Sequence, residues 1–587
     1  MAKSRKGYWK ILILTGLAAL LTSCLKLIIP IGTEAKPPKV KPNSILILEG
    51  YGTLAEANRG RPSLLALGRQ DEMLLDMVYS LRKAAVDERI RGVVLKLGDF
   101  QVGLAQAQDL REAIHAFRRS GKQIHAFAKD YSISDYYIAS ACNKIYLMPY
   151  GVVMLNGFSV SRTYFYPILE KMGIKIETIR FEKYKTAPEI LTSDSMTMAE
   201  REQLSAFLDS LYGEFLETIS REREIEKDRL RDFVDKGPYN FASPLREMRL
   251  IDDLKNLDEV VASVAPGIPT QIISHHEYMR IPAEKVGLNL GPAVALIYAN
   301  GTIVNGEDSA GTLSGQNNIG CETLAEHLRA AKADPRIKAV ILRIDSPGGD
   351  GLASEAILRE IALVKKAKPV VVSMGNVAGS GGYYIACLAD AIVAEPATLT
   401  GSIGVFLLKP DFSQLFQKVG IKRETLKRGE HADLAAIDRP MSIEEKELIT
   451  KLIGDFYRRF IAVVAEGRKK TIAEVEQIAG GRIWSGKDAR SNGLVDELGG
   501  ILKALEVAKV KAGIPVAREV RLILFPKRRN MIESLLNLGG KETIALSLLP
   551  LFRYFPELQA LSDLPETILS RQGSSILALM PFWLDIR

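Results

Sequence analysis

The strongest constraint on this chain is that much of it occurs twice. Arg89-Ile90 recurs as Arg336-Ile337, an offset of 247 residues. Tyr136-Tyr137-Ile138-Ala139 recurs as Tyr383-Tyr384-Ile385-Ala386 at the same offset. So does Gly173-Ile174-Lys175-x-Glu177-Thr178, as Gly420-Ile421-Lys422-x-Glu424-Thr425. Between the first two, Gly103-Leu104-Ala105 and Leu110-Arg111-Glu112 recur at 248. Matches this close to one register mark a duplication, so any fold proposed for one half must serve the other.

Each copy alternates apolar runs with helical patterns. In the second copy strands are expected at Val294–Tyr298, Ala339–Ile344 and Val370–Met374. Helices are expected around Cys321–Ala333, at Ala353–Ala367 and from Tyr383. Continuous apolar runs separated by helices imply βαβ crossovers and a mostly parallel sheet. Thr197-x-x-Glu200 and Ser442-x-x-Glu445 read as capping boxes that open a long helix in each copy. The expected organisation is two homologous α/β domains, 44–280 and 290–515, after a Lys/Pro-rich linker at 35–43 and before a tail at 525–587.

Residues 1–34 read as a membrane segment. Lys3, Arg5, Lys6 and Lys10 precede a mostly apolar run from Ile11 to Ile31, broken by Lys26. A basic flank followed by an apolar run is an export signal whose flank stays cytoplasmic. Two main readings compete, with a buried core helix as a third. The run is long enough to span a bilayer as an uncleaved anchor. Leu21-Thr22-Ser23-Cys24 also resembles a bacterial lipobox, in which Cys24 would be lipidated. Either main reading places the remainder outside the cytoplasm.

Composition removes several function classes. With 78 Lys plus Arg against 70 Asp plus Glu, the net charge of +8 is mild for 587 residues, not the footprint of a nucleic-acid binder. The four cysteines form no CxxC pair, and the six histidines no HExxH, so no zinc ribbon, disulfide scaffold or metal centre is expected.

In open α/β sheets ligands gather at the carboxyl ends of strands. Two glycine-rich turns of the second copy belong there: Asp345-Ser346-Pro347-Gly348-Gly349 and Gly379-Ser380-Gly381-Gly382. A serine between glycines at a strand-to-helix turn exposes its hydroxyl among backbone N–H groups. Two plainer readings stand beside this: an ordinary tight turn, and a phosphate cradle, although the Gly-Lys-Ser/Thr ending of a P-loop is missing. A nucleophilic serine needs a base. His327 and His431 sit in no motif that ties them to Ser380. A desolvated lysine could serve, but composition does not choose among so many.

At these residues the chain resembles the signal peptide peptidase A family in its long, tandem form. The resemblance rests on Ser346-Pro347-Gly348-Gly349, Ala378-Gly379-Ser380-Gly381-Gly382-Tyr383 and Thr398-Leu399-Thr400-Gly401-Ser402-Ile403-Gly404. It extends to Trp484-Ser485-Gly486-Lys487-Asp488-Ala489 and Gly493-Leu494-Val495-Asp496. It implies two tandem Clp/crotonase-like domains of repeated ββα units and a Ser-Lys dyad. Ser380 would be the nucleophile. Lys185, in Tyr184-Lys185-Thr186-Ala187, would be the general base, with Lys183 a nearby decoy. Ser402 would orient the lysine, and Gly349 and Gly381 would form the oxyanion hole. At offset 247 Ser380 faces Ile133 and Lys185 faces Ala432, so each copy keeps one half of the dyad. Asp345 stands where the family often has Asn, and Gly379 where Ala is common.

The resemblance further implies a serine endopeptidase that needs no cofactor and degrades cleaved signal peptides. It would be a homo-oligomer, a tetramer, at the bacterial inner membrane with its catalytic domains outside the cytoplasm. The alternatives are a crotonase-like acyl-CoA enzyme, an inactive scaffold, and a membrane-surface module using the apolar-rich stretch Leu535–Leu551.

Overall fold

The computed structural model describes residues 38–56, 72–237, 242–308, 317–526 and the backbone of 577–579. The expected anchor, Cys24 and the stretch Leu535–Leu551 lie outside the described residues. Among the described residues no helix is long and apolar enough to cross a membrane.

The chain is α/β with mostly parallel sheets, as the apolar runs imply. In the first copy, strands Ser44–Ala55, Ile90–Gln101, Gln123–Ala128, Lys144–Leu147 and Asp253–Leu254 follow one another in a parallel sheet. Gln271–Ser274 and Glu72–Met73 pair with the first of them. In the second copy Ala293–Asn300, Ile337–Ser346, Val370–Gly379 and Ala391–Ala394 repeat the arrangement. The strands run longer than the apolar stretches suggest because they continue into the polar turns that carry the candidate chemistry. A strand between the expected second domain and the tail, Arg521–Phe525, pairs in parallel with Ala293–Asn300.

The second sheet is buried on both faces, which explains its unbroken hydrophobicity. Side chains alternate along a strand. Val294, Leu296, Ala339 and Ile341 enter one core, with Leu75, Val78, Ile501 and Leu505. Ala295, Ile297, Val340 and Leu342 enter another, with Leu324, Leu328 and Ile357. Helix Leu74–Val86 of the first copy therefore covers a sheet of the second, and the two halves share a core. Helix Cys321–Ala333 buries Cys321, Leu324, Ala325, Leu328 and Ala331, a stripe at helical spacing.

One detail of the sequence reading needs correcting. Ser442 and Glu445 form the reciprocal capping box of helix Ile443–Arg468. Thr197 caps helix Met198–Arg223 only one way, accepting from the Glu200 amide at 3.2 Å. The Glu200 carboxylate is taken instead by Arg162, whose Nε donates to it at 3.0 Å, and by Tyr164. A buried cation beside it competes better than a backbone amide.

A third, smaller sheet joins the halves. First-copy strand Lys175–Arg180 runs antiparallel to second-copy strand Phe406–Asp411, from Phe406 opposite Arg180 to Asp411 opposite Lys175. Its other members are Asn318–Gly320, Thr302–Val304, Gly348–Asp350 and Leu577–Leu579.

Candidate active site

Ser380 ends strand Val370–Gly379 and caps the short helix Gly381–Ala386. Its backbone sits at φ +54°, ψ −116°, a conformation that costs a non-glycine residue about 1–3 kcal/mol. The turn is tied to the next strand, since the Ser380 amide donates to the Gly401 carbonyl at 2.8 Å. The duplicate position shows what is special here. In the first copy the corresponding helix, Ile133–Ala139, is capped by Ser132, whose hydroxyl accepts from the Asp135 amide at 3.1 Å and donates to the Asp135 carboxylate at 2.9 Å. Ser380 makes no such cap bond. Its strained backbone turns the hydroxyl away from its own helix.

What it meets is Lys185. The Lys185 Nζ lies 2.7 Å from Ser380 Oγ, 3.0 Å from Ser402 Oγ and 3.0 Å from the Ser402 carbonyl oxygen. All three residues are fully buried. Burial pushes the amine well below the usual lysine range, so the uncharged form is favoured. A neutral amine against a hydroxyl is an arrangement that can accept its proton.

The lysine is delivered across the duplication. Strand Lys175–Arg180 is held by the second copy, and the chain then passes beneath Gly480-Gly481. The Tyr184 amide donates to the Gly480 carbonyl at 3.1 Å. A Cβ on Gly481 would stand 2.5 Å from the Lys185 nitrogen, so only glycine allows the approach. Gln203 Nε2 donates to the Tyr184 carbonyl and to Thr186 Oγ1, at 3.1 and 2.9 Å, bracketing Lys185 on both sides. Lys183, two residues earlier, is exposed and pairs with Glu202 at 4.0 Å.

The two glycine-rich turns face each other: a Cβ on Gly382 would lie 2.7 Å from the Ser346 carbonyl oxygen. Gly381 opens the helix after the serine. Gly349 lies on strand Gly348–Asp350, opposite Ile303, whose carbonyl oxygen would be 2.0 Å from a Cβ at that position. His431 faces Glu445 at 4.0 Å, and His327 lies near the Phe525 ring.

This geometry agrees with what the chain resembles. Residues 116–268 and 362–515 each match the profile of Peptidase family S49. The chain belongs to peptidase family S49. Serine protease SPPA, chloroplastic, of Arabidopsis thaliana is 34% identical over 517 residues, covering 86% of this chain and 75% of its own. Protease 4 of Salmonella typhi is 35% identical over 498 residues, covering 79% and 78%. Protease 4 of Haemophilus influenzae is 32% identical over 453 residues, covering 74% and 72%. This S49 protein is thus a serine peptidase of the long, tandem type, which sets aside the acyl-CoA and scaffold readings.

The sequence reading passed over several S49 residues that hold the site. Gly480, Gly481 and Gln203 shape the lysine's path, and a Gly-Gly pair just before the Trp484 motif was the available signal. Arg343 is fully buried in strand Ile337–Ser346 and binds Glu56 at 2.8 Å and Asp109 at 2.7 Å, both from the first copy. Asp345, two residues on, accepts from the Val377 amide at 2.9 Å. Burial and the nearby Glu56 push its carboxyl up to about 7.

Proposed function

We propose that the chain is a membrane-anchored serine endopeptidase in which Ser380 is the nucleophile and Lys185 the general base. The observation that carries this reading is the 2.7 Å approach of a fully buried amine from one copy to a fully buried hydroxyl from the other. Neutral Lys185 takes the proton as Ser380 Oγ attacks the scissile carbonyl. Ser402 holds the amine on line. The amides of Gly349 and Gly381 stabilise the oxyanion. The ammonium then protonates the leaving amine, and water, deprotonated by Lys185, releases the acyl group.

The substrates in this reading are cleaved signal peptides and other unfolded apolar peptides. Residues 1–34 hold the enzyme at the bacterial inner membrane, by an uncleaved span or by lipid at Cys24, with the domains outside the cytoplasm. The domains are of the Clp/crotonase type and assemble as a homotetramer. Export-signal patterning supports the membrane location, the dominance of parallel sheets the domain type and the relatives' names the peptidase activity; the tetramer is what the family resemblance implies.

The test is a peptidase assay on the detergent-solubilised full chain. Ser380→Ala and Lys185→Ala should each lose about 10⁴-fold or more, and the double variant should lose no more than either alone. Full activity in both single variants ends the reading.

A further inference from the structure

Away from the candidate active site, the first copy gathers a carboxylate and two imidazoles. Glu72 lies on strand Glu72–Met73, and His275 and His276 open helix His275–Met279, which follows strand Gln271–Ser274. Both strands pair with Ser44–Ala55. No local motif announces the group, because Glu72 precedes the histidines by about two hundred residues.

His275 Nδ1 stands 3.4 Å from Glu72 Oε2, and His276 Nε2 stands 3.6 Å from Glu72 Oε1. One donor atom from each residue lies within 4.8 Å of the other two. A cation held tetrahedrally at about 2.0–2.2 Å from nitrogen and oxygen donors keeps neighbouring donors about 3.4 Å apart. The two observed separations are of that size.

An ordinary ion pair is the plainer reading, and His275 argues against it. Its side chain is 1% exposed, and neither ring nitrogen makes a hydrogen bond. An imidazole taken out of water needs partners for its nitrogens, and here Nδ1 faces the carboxylate without bonding it. His276 is 60% exposed, which leaves an ion a way in and water a place beside it.

The histidines are also held in place. The Ser274 hydroxyl donates to Glu277 Oε2 at 2.9 Å and accepts from the Glu277 amide at 3.3 Å, so the neighbouring acid is occupied in capping the helix. At the other end, the Tyr278 hydroxyl donates to Asp87 at 3.1 Å, and the Tyr278 carbonyl accepts from Lys83 Nζ at 2.9 Å. Lys83 lies in helix Leu74–Val86 and Asp87 caps it. That helix is the one that covers the second copy's sheet.

We propose that Glu72, His275 and His276 bind a divalent cation of the borderline, imidazole-preferring class, Zn2+ above all, which ties the strand leading into helix Leu74–Val86 to helix His275–Met279. Two imidazoles and a carboxylate suit such an ion, whereas Ca2+ and Mg2+ seek oxygen donors. Its role is structural: it adds a second tie to the one Lys83 makes, and none of its ligands belongs to the dyad. The proposal does not depend on the peptidase mechanism.

The test titrates the untagged, detergent-solubilised full chain, stripped with chelator, with Zn2+ by calorimetry. One ion per chain should bind with micromolar or tighter affinity, and Zn2+ at about 100 times its Kd should raise the melting temperature by about 2–3 °C. Glu72→Gln and His276→Ala should each weaken binding at least about tenfold. His431→Ala, which alters a looser pair with Glu445 at 4.0 Å, should bind Zn2+ as wild type does. No saturable binding, or binding undiminished in His276→Ala, overturns the proposal, as does a Ca2+ response equal to that of Zn2+. If Glu72→Gln fails to fold, His276→Ala decides alone, because that side chain is exposed and its melt in chelator should match wild type.

Discussion

Gly481→Ala tests the site without touching either reacting group. Its new Cβ would lie 2.5 Å from the Lys185 nitrogen and 2.7 Å from its Cα, where ordinary contact begins at 3.4 Å. The shortfall is about 0.9 Å, and little can absorb it, because both atoms are backbone. The Gly481 amide also donates to the Ile403 carbonyl at 2.8 Å, so a retreating turn drags the residue beside Ser402. The amine therefore shifts by a large fraction of an ångström from its 2.7 Å contact with Ser380. Displacements near 1 Å cost about 10²-fold in rate. Alanine at φ +81° adds strain of about 1–2 kcal/mol. Gly420→Ala isolates that strain, since Gly420 has φ +75° and nothing within 4 Å of its would-be Cβ. The assay is kcat and KM on a fluorogenic peptide, with thermal melts of both variants. The expected result is a kcat about 10²-fold lower for Gly481→Ala alone, at similar KM. If Gly481→Ala keeps kcat within about twofold of Gly420→Ala, the Lys185 backbone does not set the rate and the reasoning fails.

Other outcomes follow from the same contacts. Because burial lowers the Lys185 pKa, its base form is lost as pH falls through that lowered value; activity should rise with pH and level off well below about 10.4, the ordinary lysine value, whereas a rise still unfinished there would mean a solvated amine. Ser402→Ala removes one of the amine's hydrogen bonds and should cost about tenfold in kcat, with Ser402→Thr restoring part of it. Arg343→Met strands Glu56 and Asp109 without their cation and should destabilise by about 3–5 kcal/mol in urea titrations at neutral pH; an unchanged midpoint would mean that the buried ion pairs do not hold the two copies together. Asp345 has a folded pKa raised to about 7, so its contribution to stability is lost as pH rises from its unfolded value near 3.8 through 7. Asp345→Asn should therefore gain on the order of 4 kcal/mol at pH 8 and little at pH 4, read from melts at both.

The architecture was legible because its physics is repetitive. Strands buried on both faces must be apolar throughout, as Val294–Ile297 and Ala339–Leu342 are, and the duplication lets one half check the other. The Ser380 turn was legible because glycines crowd around it. Lys185 was not legible from composition. It lies 195 residues from Ser380, and Lys183 two places away differs only in which side of the chain is covered. Family resemblance and the missing partners at Ile133 and Ala432 supplied what spacing could not. Gln203 and Gly481 act through contacts between halves, which no local pattern encodes. Arg343 could have been found: a lone arginine inside an apolar strand must have acids waiting for it. Glu200 escaped as a reciprocal cap because Arg162 lies 38 residues away.

The seam between Lys175–Arg180 and Phe406–Asp411 has a consequence for how this enzyme behaves in dilute solution. Six backbone pairings fasten the two repeats together just upstream of the amine. An amine supplied by a separate molecule would drift off as concentration dropped; here covalent continuity and the stitched edge keep the Lys185 amine and the Ser380 hydroxyl as neighbours at any dilution. Conversely, neither repeat expressed alone would carry both groups, and under the proposed mechanism restoring turnover would require both fragments to find each other and rebuild that edge.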